Sequence, residues 1–186
     1  ALLKVVSRAK YGPLEALTLP QGADLETANR AVVAALGYNL LDLEGRTGAV
    51  LAQDRIAMHD EYRVFVVDHT PVTGAGCIEH HTPWDRIPGN TFDPQLQATR
   101  NAAPVRQDPE RVAAYRRFAA AAASALRSER PDLKDYALDL AVDAAGTPLI
   151  VELNPIGPSG LYACQIHKLL RAIRDAGPRA CIREAA

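Results

Sequence analysis

The 186 residues are nearly charge-balanced, with 21 Lys and Arg against 22 Asp and Glu and a formal charge of −1. That balance excludes the basic coat of a nucleic-acid binder. No apolar run is long enough for a membrane-spanning helix, so neither nucleic acid nor membrane is expected as a partner. Hydrophobic residues make up 48%, enough to give one domain or two small lobes a core.

Three cysteines, Cys77, Cys164 and Cys181, follow no metal or redox spacing. With an odd count and no visible signal peptide, a reducing, cytoplasmic setting is expected. The first residues read as a strand with no initiator Met. The chain is therefore expected to start inside a longer product, with room for an N-terminal domain ahead of it.

Residues 2–6, LLKVV, predict a short strand, and 14–19, LEALTL, a second. Lys4 and Lys10 flank the turn between them. Each is either a solvent-facing charge or a point charge that holds a phosphate. Asp24 is placed to cap a helix over 25–36, which Gly37 ends. Residues 38–48 read as a polar loop or weak strand ending in EGRTG, whose glycines match no nucleotide motif.

Three strands are expected next, at 51–56, 61–68 and 72–79. In the second, Glu61, Arg63, Phe65 and Val67 share one face, and Tyr62, Val64 and Val66 the other. Glu61 and Arg63 thus point the same way. They make either an exposed ion pair or a ligand pair, an acid for sugar hydroxyls beside a guanidinium for phosphate or carboxylate.

Residues 80–107 read as irregular. Adjacent His80 and His81 lack a third ligand at zinc spacing. Proline, glycine and the lone Trp84 predict a packed loop that folds over a site. Asp108 and Pro109 open a long helix to about Glu129, as N-cap and first residue. Val112, Tyr115, Ala119, Ala122 and Leu126 are its expected buried stripe. Arg130 and Pro131 end it.

The stretch 135–154 predicts a hairpin. Leu138, Leu140 and Val142 alternate with Asp139 and Ala141. Leu149, Val151 and Leu153 alternate with Ile150, Glu152 and Asn154. Pairing Asp143 with Pro148 across a four-residue loop sets Asp139 opposite Glu152, with Asn154 on the face of Glu152. Two acids and an amide on one face are oxygen donors of the kind that Mg²⁺ takes. The plainer account is the solvated side of an edge hairpin. PIGPSG at 155–160 then leads into a last helix over 161–176. There Ser159, Gly160 and the first helical amides are expected to form an anion nest for substrate.

Three strings, LLKVV, LAQDRIAMHDEYRVFVV at 51–67 and YALDLAVDAAGTPLIVELNPIGPSGLY at 136–162, resemble the ATP-grasp superfamily of ATP-dependent ligases. The likeness is to small bacterial and phage-type members with an EYRVFVV strand, and it covers most of the chain. It implies a two-lobed α+β fold, with a small lobe at 1–50 and a larger antiparallel-sheet lobe at 51–186. The nucleotide would lie between them. It implies that Asp139, Glu152 and Asn154 ligate Mg²⁺ on the phosphates of ATP and that Lys4 contacts those phosphates. Asp54 would be the acid near the adenine, with backbone groups of the segment through Arg55 and Ile56 facing its edge. Glu61 would be the acid on the ribose. Arg63 matches an arginine typical of the EYRVFVV subgroup.

The chemistry so implied is ATP-dependent activation of a small-molecule or peptide carboxylate as an acylphosphate, which an amine then attacks. Arg63 or Arg100 would hold a substrate carboxylate. Two alternatives stand beside it: an ATP-grasp kinase or phosphotransferase acting on a hydroxyl, and a non-catalytic ATP-binding interaction domain.

Overall fold

The computed structural model describes residues 2–5, 15–16, 22–36, 50–53, 56–99 and 103–177. The chain falls into two compact units, Ala1–Ile56 and Ala57–Ala186. The class is mixed α+β, and every pairing within its sheets is antiparallel.

In the first unit, β1 (Leu2–Val5) is the middle strand. It lies between β2 (Glu15–Ala16) and β3 (Val50–Gln53). The strand expected at 51–56 is this β3, and it pairs with β1, setting Lys4 opposite Leu51. Helix α1 (Leu25–Leu36) starts where the cap predicts, with the Thr27 amide donating to Asp24 Oδ1 at 2.7 Å.

The second unit is built on a four-stranded sheet. Its order is β5 (Thr70–Gly76), β4 (His59–Val67), β8 (Tyr136–Val142), β9 (Pro148–Asn154). A two-stranded ribbon, β6 (Gln95–Gln97) with β7 (Val105–Gln107), lies within the stretch read as irregular. Helix α2 (Pro109–Glu129) begins at its expected cap, where the Arg111 amide donates to Asp108 Oδ1 at 2.9 Å.

Both faces of the sheet are covered, so β8 is buried along its whole length. On one face Tyr62, Val64, Val66, Tyr136, Leu138, Leu140 and Val142 meet Val112, Tyr115, Ala119 and Ala123 of α2. Ala123 joins the fully buried stripe, while Ala122 and Leu126 pack at its margin. On the other face Phe65, Val67, Ala75 and Ala137 meet Ala163, Cys164 and Leu169, which belong to α3 (Ile166–Asp175) and the turn before it. The alternation read from β4 therefore sorts its side chains correctly between two cores.

Two expectations change here. Trp84 is 93% exposed and does not pack its loop. Asp93, 1% exposed, organises that segment instead by accepting the Ile87 amide at 2.6 Å and the Gln95 amide at 3.0 Å. The last helix starts at Ile166, five residues after the expected Leu161. Tyr162 stands just before it at φ 46°, a left-handed conformation that a helix start does not accommodate.

Candidate functional site

The register of the sheet lays one row of charge across three strands. Arg63 on β4 faces Asp139 on β8, and Asp139 faces Glu152 on β9. Directly opposed residues share a face, and this row lies on the α3 side. Asn154 stands one pair along, opposite Ala137, which in turn opposes Phe65.

The pairing of Asp139 with Glu152 is reached by a different route from the one expected. The hairpin closes one residue earlier, with Val142 opposite Pro148, around a loop in which the Asp143 amide donates to the Thr147 carbonyl. Asp143 Oδ1 accepts the amides of Ala145 and Thr147, and Gly146 takes φ 82°. A register shift between Asp139 and Leu140 then restores the expected pairing. The bulge adds one residue to β9 and re-aims the side chains beyond it.

Asp139 has no exposed surface, so it is not part of a solvated edge. Arg63 is 6% exposed, so an exposed ion pair does not describe it either. Its Nε donates to Asp139 Oδ1 at 2.7 Å and its Nη2 to Oδ2 at 2.6 Å. Its Nη1 donates to the Gly160 carbonyl at 3.1 Å, and the Tyr162 ring lies 5.2 Å from the guanidinium carbon. Asn154 Nδ2 is 3.4 Å from Asp139 Oδ2.

Burial pushes the Asp139 carboxyl upward from the ordinary carboxylate range. The hydrogen bonds and charge of Arg63 pull it down, and the charges of Glu61 and Glu152 raise it again. Burial also works against the Arg63 cation, but the bonds and charge of Asp139 outweigh it and raise the guanidinium pKa. A fork that occupies both oxygens requires the ionised carboxylate, so the pair is a salt bridge.

Glu152 is exposed on the edge strand and Asn154 half-buried. Ser159 and Gly160 lie beside the row but not at a helix start. The Ser159 amide donates to the Ile156 carbonyl and its Oγ to the Pro155 carbonyl. The expected nest with the first helical amides is therefore not formed, because α3 begins further on.

Glu61 lines a cavity of about 160 Å³ together with His59, Asp60, Cys77, Gln97 and Val151. Its neighbour Asp60 was missed in the sequence. Asp60 is buried at φ 58° and its carboxylate is forked by Arg106 at 2.8 and 2.6 Å. The Tyr115 hydroxyl donates to the Asp60 carbonyl at 2.8 Å. The backbone entering Glu61 is thus fixed from α2 and β7. An aspartate beside a glutamate gives no signal that one is structural, and nothing local marks Arg106 as its partner. Tyr162 was missed for the same reason.

A larger cavity of about 420 Å³ lies on the α2 side, lined by Phe92, Arg116 and Arg117 and by none of the expected site residues. Ile56, at the end of the first unit, is exposed, and Lys4 lies on β1. Lys10, Asp54, Arg55 and Arg100 lie outside the described residues. Among the described residues no three His, Cys, Asp or Glu side chains are grouped to hold a metal ion. The set at hand is two carboxylates and an amide, oxygen donors that suit a hard cation.

No described helix is long and apolar enough to cross a membrane. No curated protein matches the chain. Residues 14–173 match the family model of an ATP-grasp domain, the third family of its clade. With a match over most of its length, on a domain whose sheet aligns two carboxylates and an amide, the chain belongs to this family of ATP-grasp domains.

Proposed function

We propose that the protein is an ATP- and Mg²⁺-dependent ligase that activates a carboxylate as an acylphosphate for attack by an amine. The carrying observation is the Asp139, Glu152 and Asn154 group, assembled by one hairpin of an ATP-grasp domain. Their oxygens fit Mg²⁺ by type, and Glu152 is accessible to it. Mg²⁺, when bound, offsets negative charge on the phosphoryl group in transfer.

The chain's own residues position rather than react. Glu152 and Asn154 present oxygens from the edge strand. Asp139 adds a buried negative charge behind them. Glu61, with its backbone held by the Asp60 network, is the acceptor for ribose hydroxyls. Such a reaction asks little acid–base work of side chains. The atoms balance without a further reagent: ATP and a carboxylate give ADP and an acylphosphate, and an amine displaces phosphate to leave an amide.

The test is Glu152→Gln, which keeps shape and removes charge. Turnover of ATP should fall by roughly a hundredfold or more if the lost charge acts on the transferring phosphoryl group. The thermal stabilisation that Mg²⁺ with ATP gives the wild type should shrink. Undiminished turnover and stabilisation would reject the site. Product analysis of the wild type assigns the reaction: ADP with free phosphate and an amide marks the ligase, whereas a phosphorylated hydroxyl marks a kinase.

A further inference from the structure

A metal ligand has to turn a lone pair toward the ion. Both oxygens of Asp139 are instead turned toward Arg63, at 2.7 and 2.6 Å, and no surface of Asp139 is exposed. A cation that reaches Asp139 therefore competes with a guanidinium already seated there. That guanidinium is not free to drift, because the Gly160 carbonyl and the Tyr162 ring hold it from the far side. Three acids, Glu61, Asp139 and Glu152, act on one another here, with Arg63 as the cation among them. Removing it without replacement leaves a buried, uncompensated carboxylate, a costly state.

We propose that Arg63 is the resident counter-ion of this site, which a divalent cation has to displace from Asp139 before it binds with full affinity. The inference rests on the metal role proposed above for Asp139, Glu152 and Asn154. It adds that the site is closed to bare cation by one of its own side chains. Apparent affinity is reduced by the fraction of molecules in which Arg63 has let go. The phosphates of a nucleotide offer the released guanidinium a new charged partner. Cation and nucleotide therefore favour each other's binding, and by linkage the coupling is reciprocal. Arg63 is a positioning residue in this scheme, since it acts on the metal through Asp139.

The test uses Mn²⁺ alone, followed by the paramagnetic signal of the free ion, on the wild type and Arg63→Gln. Without nucleotide the variant should half-saturate at a Mn²⁺ concentration roughly tenfold or more below that of the wild type. Adding ADP should sharpen Mn²⁺ binding in the wild type and change it much less in the variant. Adding Glu152→Gln to the variant should abolish its gain, which locates the ion in this site. Should Arg63→Gln not fold, Arg63→Lys keeps the charge but cannot fork both oxygens, and the same shift is expected at smaller size. Equal or weaker Mn²⁺ binding in the folded variant, with ADP-dependent binding retained by the wild type, overturns the counter-ion and leaves the metal site standing. Absence of Mn²⁺ binding by every protein, with and without ADP, overturns the metal site and this inference with it.

Discussion

The two acids of the candidate site differ in what they do for the fold. Asp139 is fully buried and holds both hydrogen bonds of a fork, whereas Glu152 is exposed on an edge strand. Asp139→Asn leaves a buried guanidinium without its counter-charge, and breaking a buried pair costs about 3–5 kcal/mol. Glu152→Gln breaks no buried pair, and substitutions at such positions fall within about 0.5 kcal/mol. Urea unfolding of the two variants measures this directly. A midpoint for Asp139→Asn as high as that of Glu152→Gln would mean that the fork contributes nothing to stability. The sequence could show that Asp139 and Glu152 oppose each other. It could not show that Arg63 lies on the other side of Asp139, because strand order β4-β8 joins residues 76 positions apart. Buried partners at that separation leave no local pattern.

At the level of elements, what was legible had a short-range cause. Asp24 and Asp108 announce helix starts because a cap needs only the three residues after it. The alternation in β4 predicts both cores because side-chain direction is fixed by the strand itself. The last helix was misplaced because Leu161 and Tyr162 look helical, but the chain is diverted by the Cys164 amide turning back to the Leu161 carbonyl. The β6–β7 ribbon was missed because its strands are three residues each and lean on a neighbour. That neighbour is β5. A methyl group on Gly76 would run into the Gln95 carbonyl, and one on Gly74 would come within 2.7 Å of the Arg63 carbonyl. Gly76→Ala is therefore expected to destabilise the protein by about 1–3 kcal/mol, the range for overpacking. The obstruction is backbone, so no rotamer change relieves it. Thermal melts that match the wild type would show that the ribbon can slide away from β5.

Across the whole second unit, several weakly acidic groups are held neutral by burial on the two faces of one sheet. Burial pushes the Cys164 thiol up to about 12. It raises the phenols of Tyr62, Tyr115 and Tyr136 as well, with the charges of Asp93 and Asp60 adding to the rise at Tyr62 and Tyr115 respectively. Each of these groups has a folded pKa above its unfolded one. Its contribution to stability is therefore complete below the unfolded value and is lost as pH rises toward the folded value. In an unfolded chain a thiol ionises near about 8.5 and a phenol near about 10. The melting temperature should accordingly hold level from neutral pH to roughly 8.5 and fall progressively above it. The fall should be steeper once the phenols join beyond about pH 10. Thermal melts followed by far-ultraviolet circular dichroism across that range measure the slope. A second reading separates this cause from general charge repulsion. Cys164 in the folded protein should resist iodoacetamide at a mildly alkaline pH, because thiolate is the reacting form and burial withholds it. A melting temperature that stays level to roughly pH 11, past the unfolded phenol value, would mean that these groups gain water and ionise without unfolding, and that the cores around the sheet open more easily than their burial implies.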